Sequence, residues 1–288
     1  ALEAAGAELV PSENLVDAIW TDRPDPPAGP VEPHPLDFAG EDSAAKRARL
    51  AEALREDGVA AAALTQPDSL AWLLNIRGSD VERRPIPQGF ALLHDDARVT
   101  LFTAPGKVGP EARAWLGNEV TVEPTEALGP ALDALAGRKV RVDRSTGPDW
   151  VARRLEAAGA EVAWGEDPCL LPQAIKNDAE LAGAREAHLR DGAVMVRFLR
   201  WLDEAVPSGA LTEIKVVEAL ERFRAETGAL RDLSFDTICG AGPDGAIVHY
   251  RVTRETDRPV NPGDVLLVDS GGQYRDGTTD ITRTMATG

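Results

Sequence analysis

Residues 265–284 place two acidic side chains in a pattern that few local structures can accommodate. A run of four apolar residues predicts a strand buried on both faces, and it leads directly to Asp269. Small residues follow, and Asp276-Gly277 is a tight-turn signal before a second strand that holds Asp280. Two ionised carboxylates on one hairpin need a cation nearby, and hard divalent metal ions prefer oxygen ligands. The stretch therefore predicts a divalent metal site on a β-hairpin.

The register of this hairpin decides whether the two carboxylates can share a metal ion. With the turn centred on Asp276-Gly277, Asp269 pairs with Thr284 and lies roughly 13 Å along the strands from Asp280. A shared site needs a shorter separation, so we expect a bulge or a wider loop, absorbed by the glycines of the sequence DSGG. The alternative is a site-free hairpin, in which one carboxylate caps a turn and the other faces solvent.

Composition excludes several classes of partner. The formal net charge of −17 argues against nucleic acid, because the chain has no basic surface to neutralise phosphates. No run of residues approaches the ~18 apolar residues of a membrane span, so no membrane partner is expected. Cys169 and Cys239 lie far apart and outside any paired-cysteine motif, which indicates a reducing compartment, and we expect a cytoplasmic location.

The order of helix and strand signals indicates an α/β (α+β) chain in three parts. Residues 1–37 are interpreted as the tail of a preceding domain followed by a proline-rich linker. Residues 38–172 alternate helix and strand signals, which predicts a domain with a mixed sheet. Residues 173–288 begin with a long helix capped near Asn177, and the predicted elements that follow are a helix at 212–227, strands at 233–239 and 246–250, and the hairpin.

Several segments resemble one family of enzymes. DSGGQYRDGTTDITRT resembles the metal-binding hairpin of the pita-bread metallopeptidases, which include aminopeptidase P, prolidase and methionine aminopeptidase. The segments DSLAWLLNIRG, PIPQGFALL and GAIVHY are similar to those of Xaa-Pro aminopeptidases. The resemblance implies a creatinase-type mixed-sheet domain followed by the first half of a pita-bread catalytic domain.

The same resemblance implies roles for individual residues. Asp269 and Asp280 would be the first two of five ligands to two divalent metal ions, and Mn²⁺ is the expected metal. His249, in GAIVHY, would act in catalysis by contacting substrate or by stabilising the developing oxyanion. Arg77, in NIRGSD, is expected to help bind substrate; a surface salt bridge with Asp80 is the alternative.

The resemblance implies an Xaa-Pro aminopeptidase that cleaves proline-containing peptides with a metal-activated water. Prolidase, which takes dipeptides, and a non-catalytic peptide-binding module are the alternatives. Because a His and two Glu ligands are not found here, we expect an inactive piece of a longer, homodimeric enzyme. We expect the remaining histidines, His34, His94 and His188, to have structural roles only.

Overall fold

A computed structural model describes residues 5–8, 10 and 12–288; predictions that fall on the other positions lie outside the described residues. The first helix, α1 (Leu15–Ile19), is capped by the Asn14 side chain. The proline-rich segment after it runs without regular structure to strand β1 (Glu32–Pro33). This strand pairs antiparallel with β3 (Ile76–Arg77), so the linker is anchored on the domain that follows it.

The central part of the chain is a mixed sheet covered by helices, as predicted. Its strands are β2 (Ala61–Leu64), β4 (Phe90–His94), β5 (Val99–Thr103), β6 (Val120–Pro124), β7 (Lys139–Val142) and β8 (Glu161–Trp164). They lie in the order β6-β5-β4-β2-β7-β8. The two pairs made by β4 are antiparallel and the other pairs are parallel. Its helices are α2 (Leu36–Ala39), α3 (Ser43–Glu56), α4 (Pro67–Leu74), α5 (Pro110–Leu116), α6 (Leu128–Asp133), α7 (Asp149–Ala157) and α8 (Leu170–Ala174).

The sheet separates two apolar cores because successive side chains of a strand point to opposite faces. In β2, Ala62 and Leu64 pack with α3, α4 and α5 on one face. Ala61 and Ala63 pack with α6 and α7 on the other face. All four β2 side chains are buried, as expected for a central strand covered on both sides.

The last part of the chain packs two helices on a small antiparallel sheet. The helices are α9 (Asp178–Ala205) and α10 (Glu213–Ala225). The sheet consists of β10 (Ile238–Ala241), β11 (Val265–Ser270) and β13 (Ile281–Ala286), while β9 (Asp232–Leu233) and β12 (Gly272–Gln273) form a separate antiparallel pair. A capping box between Asn177 and Glu180 begins α9, as the sequence indicated. Both helices cover β10 and β11 through a core that includes Phe198, Leu220 and Leu266.

Three predicted strand features are wrong. The 233–239 strand is interrupted, since β9 pairs with β12 whereas β10 pairs with β11. The 246–250 strand is absent from the described residues: a 3₁₀ turn at Gly242–Ala246 is followed by His249 at a φ of 56°, a left-handed conformation that strands do not adopt. Strand β11 is buried on one face only, with Val265 exposed. Within the described residues, no helix has the length and hydropathy needed to span a bilayer.

Candidate metal centre

The hairpin brings the two predicted ligands closer than the sequence suggested. Asp269 pairs with Thr282, two residues nearer to Asp280 than the predicted partner Thr284. The backbone hydrogen bonds keep this register up to Tyr274, whose N–H donates to the Gly277 carbonyl. The turn is therefore centred on Arg275-Asp276, one residue earlier than predicted, and no bulge is needed.

This register places both carboxylates on one face of the hairpin. Asp280 lies two residues from Thr282, so the separation of the two acidic residues along the strands is about 7 Å, and side chains two residues apart share a face. The Thr282 hydroxyl donates a hydrogen bond of 2.7 Å to Asp269 Oδ1 and fixes that carboxylate. Thr282 is thus the residue that orients the Asp269 carboxylate.

The electrostatics of the pair favour a bound cation. Partial desolvation and the charge of the neighbouring Asp269 raise the pKa of Asp280, while His188 acts in the opposite direction. Neither carboxylate forms an ion pair with Lys or Arg in the described part of the chain. Two adjacent carboxylates without a counter-ion are the donor set that a hard divalent cation prefers, so the residues present fit a metal ion. No cluster of three or more potential ligand side chains is found among the described residues.

A buried network holds both ends of the segment between the two carboxylates. Asp191 on α9 and Arg224 on α10 are fully buried and form an ion pair, with 2.8 Å between Arg224 Nε and Asp191 Oδ1. Arg224 Nη2 donates to the Ser270 hydroxyl at 3.1 Å. The Thr279 hydroxyl donates to Asp191 Oδ2 at 2.6 Å. Tyr274, at the turn, also donates its hydroxyl to Asp191.

This network positions the site because its members adjoin the ligands in sequence. Ser270 directly follows Asp269, and Thr279 directly precedes Asp280. Sequence reasoning missed both charged members, although a signal exists. Asp191 lies at helical spacing between the buried Ala187 and Val194, where a charge requires a buried partner.

His249 lies on an exposed turn and makes no side-chain hydrogen bond to Asp269 or Asp280 among the described residues. The preceding 3₁₀ turn packs over β11, where a Cβ added to Gly245 would lie 3.5 Å from the Leu267 Cβ. Leu267 and Asp269 share a face of β11. The structure therefore brings the His249 segment to the metal-site face without placing its side chain in contact with the carboxylates.

Glu213 tethers the segment that carries His249. Its fully buried carboxylate accepts hydrogen bonds from the backbone N–H groups of Ala241 at 2.6 Å and Arg258 at 3.2 Å. The Tyr250 hydroxyl donates to the same carboxylate at 3.3 Å. Burial raises the pKa of Glu213. The Glu213 side chain thus joins Ala241 at the start of the segment, Tyr250 in its middle and Arg258 at its end. The sequence analysis did not identify this residue.

Arg77 lines a cavity that neither Asp269 nor Asp280 lines. The alternative prediction, a surface salt bridge between Arg77 and Asp80, is wrong. Asp80 is buried and forms an ion pair with Lys107, not with Arg77. The Asp80 carboxylate also accepts hydrogen bonds from the N–H groups of Gly29 at 2.9 Å and Gln88 at 2.6 Å. Arg77 lines a cavity between the proline-rich linker and the turn of the metal hairpin.

Comparison with known proteins agrees with this architecture. Residues 22–180 match the creatinase/prolidase N-terminal domain family, and residues 182–288 match metallopeptidase family M24. A probable Xaa-Pro aminopeptidase P from Aspergillus niger is 36% identical over 298 residues, which cover 98% of this chain and 48% of that protein. Aminopeptidase P2 from Arabidopsis thaliana is 36% identical, over 94% of this chain and 43% of its own length. The chain spans about half the length of these relatives.

Solved structures show the same fold. The crystal structure of an X-prolyl aminopeptidase from Caenorhabditis elegans, described as a cytosolic enzyme with a di-nuclear active site, matches with a TM-score of 0.89 and 31% identity over 99% of this chain and 48% of that chain. An Xaa-Pro dipeptidase from Bacillus anthracis, 22% identical with a TM-score of 0.67 over 86% of this chain and 66% of its own, shares the fold. The predicted fold class is confirmed. The chain belongs to the family defined by the creatinase/prolidase N-terminal domain.

Proposed function

We propose that this chain contributes to an Xaa-Pro aminopeptidase, a metal-dependent hydrolase that removes an N-terminal residue preceding proline. The observation that carries the proposal is the hairpin on which Asp269 and Asp280 share a face without a cationic partner among the described residues. The relatives named as aminopeptidases and the di-nuclear site of the nematode enzyme support it.

In this proposal each residue of the site has a distinct task. Asp269 and Asp280 would hold divalent metal ions, with Mn²⁺ as the proposed metal, and further ligands would come from residues other than those described here. Such metal ions lower the pKa of bound water and polarise a carbonyl group. Thr282 keeps the Asp269 carboxylate oriented. His249 would donate a hydrogen bond to the substrate carbonyl region, on the face of β11 toward which its segment is held by Glu213.

The proposal extends to substrate class and assembly. The substrates would be peptides with proline in the second position, and the enzyme would act in the cytoplasm as a homodimer. The cytosolic description of the nematode enzyme supports the location. The prolidase alternative is supported less, since the curated relatives at 36% identity are named as aminopeptidases.

The test is cleavage of an Xaa-Pro peptide by the full-length enzyme that contains this chain. We expect Asp269→Ala to abolish metal-dependent cleavage, whereas Asp203→Ala, an exposed substitution on α9, should leave turnover within about twofold of the wild-type value. Unchanged turnover in Asp269→Ala would refute the site. A wild-type enzyme that binds the peptide without cleaving it would favour the non-catalytic module.

A further inference from the structure

A cavity of about 500 Å³ lies between the proline-rich linker, the segment that follows β3, and the turn of the metal hairpin. Prolines form much of one wall, among them Pro30, Pro33 and Pro85. The hairpin contributes Tyr274 and Arg275 to the opposite wall. Because the proline ring fixes the backbone φ angle, the wall that the prolines form has limited flexibility.

Arg77 is a deep cation in this cavity. Its Nη1 atom donates to the backbone carbonyl of Ile76 at 2.9 Å and to that of Ala71 at 3.4 Å. It forms no ion pair with any acidic side chain in the described part of the chain. Burial lowers its pKa to about 10 while the charge of Glu180 acts in the opposite direction, so the guanidinium remains charged at neutral pH. A half-buried, charged guanidinium bound only to carbonyl oxygens retains donors for another acceptor.

The other arginines of the cavity divide into two groups. Arg83 and Arg231 are neutralised, the first by Asp232 at 2.9 Å and the second by Glu32 at 3.0 Å. Arg84 and Arg275 are exposed at the rim and have no acidic partner within 4.0 Å among residues 12–288. Five arginines and three acidic residues, Glu32, Glu82 and Asp232, line the cavity, so its lining carries a formal charge of +2 in a chain whose formal net charge is −17.

His34 adds a buried polar side chain to the lining of the cavity. His34 is buried against the cavity, and its pKa is lowered to about 3 by burial and then by the charges of Arg77, Lys46 and Arg275. The imidazole is therefore neutral at physiological pH, and its ring offers an acceptor or a donor without adding charge. The cavity combines a deep guanidinium with a neutral polar side chain and apolar walls.

We propose that this cavity is a binding site for a small ligand that carries a carboxylate or phosphate group. The oxyanion would pair with Arg77 through charge-assisted hydrogen bonds, since a guanidinium matches the planar spacing of carboxylate and phosphate oxygens. Arg84 and Arg275 would attract the ligand at the rim, and the proline walls would contact its apolar part. Neither Asp269 nor Asp280 lines this cavity.

The proposal is tested by isothermal titration calorimetry of protein that has been freed of metal ions with EDTA and then dialysed into a buffer without EDTA or other carboxylates. The probes are inorganic phosphate, the tripeptide Gly-Pro-Gly with a free C-terminal carboxylate, and the same peptide with a C-terminal amide. We expect phosphate, the free-acid peptide or both to bind, and the amide to bind at least about 10-fold more weakly than the acid where the acid binds. Phosphate binding alone, or peptide binding alone, identifies which oxyanion the site accepts.

Matched variants locate the binding. Arg77→Gln should weaken binding at least about 10-fold, and Arg153→Gln, an exposed arginine on α7 outside the cavity, should change it less than twofold. The double variant Arg84→Gln/Arg275→Gln, on exposed side chains, should weaken binding and reduce its salt dependence even if Arg77→Gln fails to fold. Absence of binding for every probe up to about 10 mM, or equal binding in the wild type and the double variant, would overturn the proposal.

Discussion

The neutral state of His34 makes this residue sensitive to pH. The imidazole is buried among cationic side chains, and its ring packs 5.8 Å from that of Phe38. The pKa of the folded state is about 3, against 6.5 for the ordinary group. The unfolded chain therefore takes up a proton below pH 6.5 that the folded chain does not bind, and stability is lost as the pH falls from 6.5 toward 3.

We expect this residue to account for about 2 kcal/mol of stability lost between pH 7.5 and pH 5.0, which is 1.5 pH units below the ordinary pKa. The measurement is the free energy of unfolding in urea at both pH values, for the wild type and His34→Asn. The wild type should lose about 2 kcal/mol more than the variant over this interval. An equal loss in both proteins would show that His34 is protonated in the folded state.

Individual site residues could be predicted where a local sequence pattern indicates their role. Asp269 and Asp280 stand in a strand–turn–strand pattern that local signals reveal. Asp191 and Arg224 could not be paired from the sequence, since 33 residues separate them and only the packing of α9 on α10 brings them together. The lowered pKa of His34 likewise depends on its burial and on Arg77 and Arg275, which lie far from it in the chain.

At the scale of elements, the hairpin depends on close approach of its strands at Gly271. A Cβ added there would lie 1.9 Å from the Thr279 carbonyl oxygen and 2.2 Å from the Ser234 hydroxyl. Gly192 in α9 is the contrasting case, because an added Cβ meets no atom within 4 Å. The structure therefore requires glycine at position 271, whereas position 192 has room for a larger side chain.

We expect opposite effects when each is replaced by alanine. Gly271→Ala should lower the free energy of unfolding by about 3 kcal/mol, because the backbone must shift to relieve the contact. Gly192→Ala should raise it by about 0.5–1 kcal/mol, because alanine favours a helix interior. Denaturant unfolding of both variants checks the pair, and a neutral Gly271→Ala would mean that the hairpin strands lie farther apart than described.

The packing of α9 on α10 depends on the buried ion pair between Asp191 and Arg224. Removing one member of a buried pair leaves the other charge without compensation, so Asp191→Ala should cost about 3–5 kcal/mol. Asp203→Ala lies on the exposed side of the same helix and should change stability by less than about 0.5 kcal/mol. The measurement is chemical denaturation; similar values for the two variants would contradict the role assigned to Asp191.

The elements themselves were predicted best where local signals were strong. Helix α10 lies within the predicted residues 212–227, and α9 begins after the predicted cap at Asn177. The 246–250 segment was predicted as a strand because Ile247 and Val248 are apolar and β-branched. In the structure both side chains are exposed on a turn. The hairpin turn was placed one residue late because Asp276-Gly277 is a strong turn signal, whereas Asp276 is held by Arg190 at 2.8 Å.

At the scale of the whole molecule, a few polar contacts join the mixed-sheet unit to the metal-hairpin unit. Arg83 bridges to Asp232 and Asp236, each at 2.9 Å. The Gln273 side chain donates to the Arg83 carbonyl at 3.0 Å. Nothing in the sequence around Arg83 indicates these partners, which lie about 150 residues away. The domain boundaries at residues 37 and 172 remain predictions.

The central claim is that Asp269 and Asp280 together hold a divalent cation. The most direct measurement is titration of the 288-residue chain with Mn²⁺, followed by electron paramagnetic resonance of the free ion. The account predicts weak binding in the wild type and in Asp203→Asn, and at least about 10-fold weaker binding in both Asp269→Asn and Asp280→Asn, since each variant removes one charged ligand. Equal Mn²⁺ affinity in all four proteins would contradict it.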